Sequence, residues 1–395
     1  MKRCNSVRAM SAAVVTIMLA AAAQAQPPAP AGDEFLLVAD SSRDMVLRYD
    51  GQTGAFVDQF VSRHSGGMNQ PYGVLFGPDG NGDGHADLYV SAGLFIGTGQ
   101  TKGVFRYDGL SGAFLDVFTR GGDLQSVRGI VFGPDGDLFV ADMKLSDPRE
   151  GRVARFDGAT GEYLGDFVPY VSGGLRIPHG VVFGPSGRNP IELDLYVASQ
   201  STSEILRYDG TSGDFLGAFV ASGSGDLAAP FGLTFGPDGN LYVASRRGNP
   251  AVLQYQGPTG DTPGAFIDTF VAPGSGGMLI PQGLIFGPDG NGDGAQDLYV
   301  TNSEVNSGGQ AKKGTVKRYD GMTGAFIDTF VSLDSGKLDD PFLLTFTQTD
   351  PVTLQYLGTP YTAAVQAVPE ATSAILGCVA AMGLGLMNRS RRRTE

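Results

Sequence analysis

Residues 230–245 read P-F-G-L-T-F-G-P-D-G-N-L-Y-V-A-S, and the segments that follow read V-L-Q-Y-Q-G-P-T-G (residues 252–260) and G-A-F-I-D-T-F-V (residues 264–271). They contain four short apolar runs, rich in Val, Leu, Ile, Phe and Tyr and separated by Gly, Pro, Asp or Ser. Runs of this length and composition, bounded by turn residues, are typical of β-strands. The same four-run unit recurs along the chain, and repetition at one period decides the architecture before any motif is considered.

The unit occurs six times. The signature F-G-P-[DS]-G has spacings of 56, 51, 52 and 51 residues between its phenylalanines, which are Phe76, Phe132, Phe183, Phe235 and Phe286. The third run, R-Y-D-G or a relative, ends at Gly51, Gly109, Gly158, Gly210, Gly257 and Gly321. The fourth run lies around Phe56, Phe114, Tyr163, Phe215, Phe266 and Phe326. Four strands in each of six units predict an all-β, six-bladed β-propeller with four-stranded antiparallel blades.

The ends of the repeat predict how the ring closes. The first recognisable run, Phe35–Asp40, matches the second run of the unit, whereas the last run, Pro341–Phe346, matches the first. One blade is therefore expected to combine three N-terminal strands with one C-terminal strand, which removes exposed edges without a disulfide. We expect the propeller to span residues 35–348.

The family of the repeat is indicated by its consensus, P-x-G-[VIL]-x-F-G-P-D-G-x-L-[YF]-V-A-[DS]. This unit resembles the NHL repeat and the related virginiamycin-lyase-like propellers over residues 35–346. The chain contains no tryptophan, which argues against the WD40 type. The resemblance implies that the first strand of each blade lines the central channel and the fourth lies outermost. Polar residues at the ends of the second strands are expected to satisfy turn backbone groups, and they are Asp40, Asp142, Ser199, Ser245 and Asn302.

Composition excludes some classes of function. The net charge is −13, but seven of the 28 basic residues and only two of the 41 acidic residues lie in the terminal segments, so residues 27–367 carry −18. Such a body repels nucleic acid and anionic lipid and attracts cations, so nucleic acid is not an expected partner. Both cysteines, Cys4 and Cys378, lie in the terminal segments, so the body uses neither disulfides nor thiol chemistry.

The N-terminus predicts export. Residues 1–25 have basic residues at the front, an apolar stretch over residues 12–23 and the small-x-small pattern Ala23-Gln24-Ala25, as in a secretory signal peptide. A membrane anchor is the alternative, but the apolar run is short. Residues 26–34 read as a linker.

The C-terminus carries a three-part pattern after a second linker, residues 349–367. In residues 368–395, Val368, Pro369 and Glu370 precede an apolar run over residues 371–387 and an arginine cluster. A plain C-terminal anchor is one interpretation, since about 17 apolar residues barely span a bilayer and the arginines would stay cytoplasmic. The order closely resembles the PEP-CTERM sorting signal of Gram-negative bacteria, although Ala371 stands where that family has its second proline.

The PEP-CTERM resemblance implies a partner and a location. In that family an exosortase recognises Pro-Glu-Pro and removes the tail during export. The expected course is transient anchoring in the inner membrane, followed by delivery to the cell envelope, the cell surface or the extracellular matrix.

Two long turns read D-x-N-x-D-G-x-x-D. The residues at positions 1, 3, 5, 7 and 9 are Asp79, Asn81, Asp83, His85 and Asp87 in one turn and Asp289, Asn291, Asp293, Ala295 and Asp297 in the other. Side-chain oxygens at positions 1, 3, 5 and 9, a backbone carbonyl at position 7 and glycine at position 6 give the spacing of an EF-hand Ca²⁺ loop. The glutamate of position 12 is absent, because Val90 and Val300 stand there.

This variant resembles the FG-GAP calcium loops of integrin-type propellers, in which the same motif runs straight into a strand. The resemblance implies two structural Ca²⁺ ions that stiffen two hairpins. The alternative is a pair of Asp- and Gly-rich turns that hold no metal. A third unit has Ser186, Arg188 and Asn189 in its turn and is not expected to bind a cation.

The x of each P-x-G motif stands at the start of a first strand, so six such residues are expected to ring one mouth of the channel. They are Tyr72, Arg128, His179, Phe231, Gln282 and Phe342. A ligand site is one interpretation of this ring, and a packed channel lining is the other. Enzymes on related propellers place metal-binding histidines or carboxylates near this channel. A catalytic metal usually needs three protein ligands, and only His179 qualifies here.

The sequence as a whole favours an exported envelope or matrix protein that binds or scaffolds, with an extracellular polysaccharide or another envelope protein as partner. The alternative is a propeller-type hydrolase or lyase that acts at the channel mouth around Arg128 and His179. Propellers host both classes, so the fold alone does not decide between them. Because the ring contains only one residue that could bind a metal, His179, the sequence favours binding over catalysis.

Overall fold

A computed structural model of the protein describes residues 34–93, 101–145, 150–189, 191–305 and 312–347. These residues form six four-stranded antiparallel sheets that surround one centre as blades, which confirms the predicted all-β, six-bladed propeller. We number the strands in chain order and give the strands of each blade from the centre outward.

Blade 1 contains β24 (Pro341–Phe346), β1 (Phe35–Asp40), β2 (Met45–Asp50) and β3 (Phe56–Val61). Blade 2 contains β4 (Pro71–Gly77), β5 (Asp87–Ala92), β6 (Gly103–Tyr107) and β7 (Phe114–Val117). Blade 3 contains β8 (Val127–Phe132), β9 (Leu138–Met143), β10 (Gly151–Phe156) and β11 (Tyr163–Val168).

Blade 4 contains β12 (Pro178–Pro185), β13 (Leu193–Ser199), β14 (Glu204–Asp209) and β15 (Phe215–Val220). Blade 5 contains β16 (Pro230–Phe235), β17 (Leu241–Ser245), β18 (Ala251–Tyr255) and β19 (Phe266–Val271). Blade 6 contains β20 (Pro281–Gly287), β21 (Asp297–Val305), β22 (Lys312–Tyr319) and β23 (Phe326–Val331). Short 3-10 turns precede the inner strands of every blade except blade 3, at Ser65–Gly67, Ser172–Gly174, Ser224–Asp226, Ser275–Gly277 and Ser335–Lys337.

Blade 1 closes the ring as predicted. Its inner strand comes from the C-terminal end of the propeller and pairs antiparallel with β1, in the register Leu36 with Phe346 and Val38 with Leu344. Both chain ends thereby contribute side chains to one core cluster. The closure replaces an exposed strand edge at each end with a paired one.

The first strand of every blade lies innermost, as the family resemblance implied. Each inner strand contacts the inner strands of the two neighbouring blades, so that the six form a closed circle. The fourth strands lie outermost, and in β3, β15 and β19 most of the first four residues are exposed while the last two are buried. The core therefore fills the spaces between neighbouring sheets, where both faces of the inner strands are covered.

In five of the six blades, a tyrosine hydroxyl on the third strand hydrogen-bonds to the linker that enters the blade from the preceding one. The Tyr107 hydroxyl donates to the Ser65 carbonyl at 2.9 Å. The same bond joins Tyr49 to Ser335, Tyr208 to Ser172, Tyr255 to Ser224 and Tyr319 to Ser275. Blade 3 departs from this rule, since it has Phe156 in place of the tyrosine and its linker, residues 119–126, forms no 3-10 turn.

The polar ends of the second strands satisfy turn backbone groups, as predicted. The Asp142 carboxylate accepts hydrogen bonds from the amides of Gln125 and Ser126 at 2.9 and 2.8 Å. Four further residues accept from backbone amides in the same way, and they are Asp40, Ser199, Ser245 and Asn302.

No helix within the described ranges is long and apolar enough to cross a membrane. The predicted signal peptide (residues 1–25), the second linker (residues 349–367) and the sorting tail with Val368, Pro369 and Glu370 lie outside the described residues, and of the first linker only Glu34 is described.

Candidate functional site

The six residues of the predicted ring lie at the centre of the molecule, because each is the second residue of an inner strand. All six are buried: Tyr72, Phe231 and Gln282 are 0% exposed, Arg128 1%, His179 3% and Phe342 5%. Five of them, Tyr72, Arg128, His179, Phe231 and Phe342, contact one another, and we call these five the central cluster. The ring is thus a packed layer across the channel.

Aromatic contacts build this layer. The His179 ring stacks on Phe231 with 3.9 Å between the centroids. Tyr72 lies 4.7 Å from Phe342 and 5.6 Å from both Phe231 and His179, measured between centroids. Tilted and stacked aromatic rings at these distances attract one another beyond the area that they bury.

Hydrogen bonds hold the His179 ring in place. Arg128 Nη1 lies 2.8 Å from His179 Nε2 and 3.0 Å from His179 Nδ1, and because Arg128 can only donate, a ring nitrogen accepts from it. The Tyr72 hydroxyl hydrogen-bonds to His179 Nδ1. Burial, reinforced by the Arg128 charge, holds the pKa of His179 well below its usual value. His179 is therefore a neutral structural partner of Arg128 and Tyr72 in this arrangement.

Gln282 lies in the ring, but its amide faces the neighbouring blade. Its Nε2 donates to the Pro341 carbonyl and to the Ser303 hydroxyl, both at 2.6 Å. These bonds join β20 and β21 to β24, so Gln282 serves ring closure.

A second arginine lies against the ring and was not among the residues predicted from the sequence. Arg246 follows the end of β17, and its guanidinium carbon lies 4.6 Å from the centre of the Phe231 ring. Burial lowers the pKa of Arg246 and lowers that of Arg128 to about 10. The position directly after the polar residue of each second strand was the available signal, because Met143 contacts Arg128 and Ser303 contacts Gln282 from that position in their own blades.

The two predicted calcium loops, residues 79–87 and 289–297, are ordered by hydrogen bonds of their own. In the first, Asp79 accepts from the amides of Gly82 and Gly84 at 2.7 and 2.8 Å. Asn81 Oδ1 accepts from the Asp83 amide, and Asp83 Oδ1 accepts from the His85 amide. The second loop repeats these bonds, with Asp289, Asn291, Asp293 and Ala295 in the same roles.

The last aspartate of each loop is buried and incompletely satisfied. Asp87 Oδ2 accepts from the Gly80 amide at 2.9 Å, but Asp87 Oδ1 is buried without a hydrogen-bond partner. Asp297 repeats both features. Burial, together with the neighbouring loop carboxylates, raises the pKa of Asp87 and raises that of Asp297 to about 6. A carboxylate oxygen in this state is a ligand that a hard cation such as Ca²⁺ would satisfy.

The loops are not closed around a metal. Within the ranges that the structure describes, no three His, Cys, Asp or Glu side chains converge closely enough to hold a metal ion. The oxygen donors fit Ca²⁺ by type, whereas Asp79 is turned toward backbone amides. The calcium prediction therefore stays a prediction.

Comparisons with known proteins identify the fold. No family model matches the chain, and no curated protein sequence matches it. A chain from the crystal structure of a nidogen/laminin complex aligns with a TM-score of 0.53 and 17% identity over 80% of this chain and 98% of that chain. A hypothetical selenium-binding protein from Sulfolobus tokodaii aligns with a TM-score of 0.51 and 14% identity over 82% and 80%.

A luciferin-regenerating enzyme aligns less well, with a TM-score of 0.47 and 16% identity over 75% of this chain and 94% of that chain. At identities this low, the likeness to the nidogen/laminin chain and to the selenium-binding protein shows the propeller fold alone.

Proposed function

We propose that this protein is an exported binding or scaffold propeller of the cell envelope or extracellular matrix, related to the NHL-type propellers. The observation that carries binding over catalysis is the buried central cluster. His179 stacks on Phe231, accepts from Arg128 and is kept neutral, so it packs the channel centre. A general base needs access to the proton that it abstracts, which a histidine 3% exposed does not have.

The partner that we propose is another envelope protein or an extracellular polysaccharide with a negatively charged group. Arg246 and Arg128 bring two positive charges to the centre of a body whose net charge is otherwise strongly negative. A planar guanidinium suits recognition of a carboxylate, on an acidic sugar or on an Asp or Glu side chain. The nidogen/laminin neighbour supports a binding role by fold-level analogy alone.

Binding is tested with the purified fragment of residues 27–367. We expect a screen against acidic and neutral matrix polysaccharides, and against envelope extracts, to yield a partner whose affinity falls about tenfold in Arg246→Ala, on the loss of one charged contact. Arg247→Ala, which changes the exposed neighbour, is the matched control. Turnover without any binding partner would contradict the proposal.

We propose structural Ca²⁺ in the two long loops. The buried, unpartnered oxygens of Asp87 and Asp297 support it, as does the oxygen-only donor set. Replacing Asp83 and Asp293 together by alanine is expected to lower the melting temperature only when Ca²⁺ is present. Identical melting of variant and parent across a Ca²⁺ titration would refute the calcium proposal.

Sorting through the C-terminal tail is also part of the proposal, and it rests on the sequence pattern. Pro369→Ala combined with Glu370→Ala is expected to leave the tail attached to exported protein in the host bacterium. Mass spectrometry of the mature C-terminus measures this. Release of the same mature form from parent and variant would show that an exosortase-type enzyme does not act here.

The second candidate is a propeller-type hydrolase or lyase. It is favoured by the convergence of Tyr72, His179 and Arg128 in one hydrogen-bonded group at the channel centre. Lactone and ester turnover by the same fragment, abolished by His179→Ala while the fold persists by circular dichroism, would establish it and overturn the binding proposal.

A further inference from the structure

In blade 4, two facing carboxylates lie beside the turn between the first and second strands and bind one arginine. Asp194 on β13 and Asp209 on β14 are directly paired across the antiparallel ladder. Like charges in this position repel one another. Arg188, in the turn between β12 and β13, places Nη2 2.6 Å from Asp194 Oδ1 and 3.0 Å from Asp209 Oδ2. One guanidinium therefore bridges both carboxylates.

Blades 2 and 6 carry the same two carboxylates without that arginine. Leu88 pairs with Tyr107 and Leu298 with Tyr319, as Leu195 pairs with Tyr208 in blade 4. The residues one step outward on these strands are Asp87 and Asp108 in blade 2 and Asp297 and Asp320 in blade 6. Asp108 and Asp320 stand far from the loop motifs in the sequence, and only the strand register brings them to the loops.

The turn residue that corresponds to Arg188 is Asn81 in blade 2 and Asn291 in blade 6, each six positions before the buried aspartate. The correspondence holds in space. Asn81 Nδ2 donates to Asp108 Oδ2 at 2.9 Å, and Asn291 Nδ2 donates to Asp320 Oδ2 at 2.8 Å. A neutral amide thus stands where blade 4 has a cation.

The unsatisfied oxygen in blades 2 and 6 is the one that Arg188 serves in blade 4. Arg207 donates to Asp194 Oδ2 at 2.6 Å, and its counterpart Arg106 lies 4.0 Å from Asp87 Oδ2, so these arginines occupy the same side. Arg188 serves Asp194 Oδ1, whereas Asp87 Oδ1 is buried without a partner.

The loop carboxylates add to the negative charge at this point. Asn81 Nδ2 donates to Asp83 Oδ2 at 3.1 Å as well as to Asp108 Oδ2, and Asn291 Nδ2 donates in the same way to Asp293 and Asp320. Two carboxylates that converge on one neutral amide repel each other, and a cation between them would remove that repulsion. Each long loop therefore adds a further carboxylate, Asp83 or Asp293, next to a carboxylate pair that lacks the counterpart of Arg188.

We propose that Asp108 and Asp320, from the ends of the third strands, are ligands of the cations in blades 2 and 6, and that Arg188 is the protein's own substitute for that cation in blade 4. The inference rests on the proposed calcium loops and extends them across the ladder to the neighbouring strand. A cation in this place ties the loop, the second strand and the third strand together, so it fixes a blade edge and not only a turn. Of the four blades with such a carboxylate pair, blade 4 meets the electrostatic requirement with Arg188 and blades 2 and 6 with Ca²⁺. In blade 3 the pair is Asp137 and Asp157, and Arg155 donates to Asp137 at 2.7 Å.

The test titrates the purified full-length chain, freed of metal by a chelator, with Ca²⁺ in a calorimeter. The parent is expected to bind two Ca²⁺ per chain, one in each loop. Asp108→Asn is expected to weaken one site about tenfold or more. The amide oxygen of the variant can still accept from the Ser111 amide, as Asp108 Oδ1 does now, so the turn is preserved.

Two further variants separate the ligand role from turn capping. Asp157→Asn in blade 3 changes the same turn cap in a blade without the long loop, and it is expected to leave both sites unchanged. Asn81→Arg transfers the blade 4 solution to blade 2. It is expected to abolish one Ca²⁺ site while raising the melting temperature of the metal-free protein.

The outcomes distinguish the two proposals. A parent that binds no Ca²⁺ refutes the calcium loops themselves. A parent that binds two Ca²⁺, with the affinity in Asp108→Asn within twofold of the parent, refutes the inference and leaves the loops standing. Loss of a site in Asn81→Arg without any gain in metal-free stability would refute the equivalence of Arg188 and the cation.

Discussion

Single polar side chains at the ends of the second strands hold the connections that feed the inner ring. Asp142 does this in blade 3 with a full charge, and its Oδ2 also accepts from Arg152 Nε and Nη2 at 3.0 and 2.9 Å. Ser245 does it in blade 5 with a neutral hydroxyl, which accepts from the Ala228 amide at 3.0 Å. A charged residue in blade 3 and an uncharged one in blade 5 therefore accept the same kind of backbone hydrogen bond at the same position.

Alanine substitutions at Asp142 and at Ser245 are expected to destabilise the protein to different extents, because only the first removes the partner of a buried charge. Asp142→Ala leaves the buried Arg152 with Asp166 as its remaining carboxylate partner, so we expect the free energy of unfolding to fall by about 3 kcal/mol. Ser245→Ala removes neutral hydrogen bonds and should cost about 1 kcal/mol. Chemical denaturation of both variants measures the difference. Equal losses would show that the Arg152 pair is not decisive at this position.

Asp40 makes the same contact at the ring closure, and burial raises its pKa to about 6. The folded state therefore keeps a proton that the unfolded chain, with a pKa of about 4, releases. By linkage, stability from this group is complete below about pH 4 and is lost as the pH rises through about 6, by on the order of 3 kcal/mol.

Asp40→Asn removes that titration while keeping an acceptor oxygen, as Asn302 does in blade 6. We expect the unfolding free energy of the variant to change less between pH 4 and pH 7 than that of the parent. Denaturant titrations in the presence of a chelator compare the two slopes. Parallel slopes would assign the pH dependence to other carboxylates.

At the scale of elements, neighbouring blades meet through glycines in the turn before each fourth strand. A Cβ on Gly213 would lie 2.0 Å from the Phe167 carbonyl of the preceding blade, and Gly213 has a φ of +77°. Equivalent approaches to a Phe carbonyl occur at Gly54, Gly112, Gly161, Gly264 and Gly324. The G-x-F start of the fourth run is thus a contact between blades as well as a turn.

Gly213→Ala separates these two roles when it is compared with Gly223→Ala. Gly223 has nearly the same φ, +79°, but nothing lies within 4 Å of its Cβ position. Alanine at Gly223 is expected to lower the free energy of unfolding by only about 1–2 kcal/mol, because of the left-handed backbone conformation. At Gly213 we expect a further 1–3 kcal/mol, because the blade interface must shift. A difference in unfolding free energy near zero would mean that the interface yields freely.

At the scale of the whole molecule, the repeat made most of the fold predictable from the sequence. Strand order, blade count and ring closure follow from one period, and the ring residues follow from P-x-G because that motif fixes a place on the inner strand. Asp108 and Asp320 were missed because their role depends on cross-strand register, which linear spacing does not display. Arg246 was missed because it lies just beyond a strand, where the turn decides its direction. That the ring is buried follows from aromatic packing between residues of four blades, which no single unit contains.

Closure of the ring involves all six blades, and removing β24 tests how much the closure contributes to stability. This strand buries Phe342, Leu344 and Phe346, each worth about 1.5–3 kcal/mol in apolar burial, a sum comparable with the total stability of a domain. We expect a fragment of residues 27–347 to unfold cooperatively and one of residues 27–340 to lose cooperative unfolding, because the edge of β1 and the side chains of β4 and β20 that pack on β24 are then uncovered. Scanning calorimetry measures this, and a synthetic peptide of residues 339–347 should restore the transition by strand addition. A 27–340 fragment that melts like the longer one would show that the circle holds without its last strand.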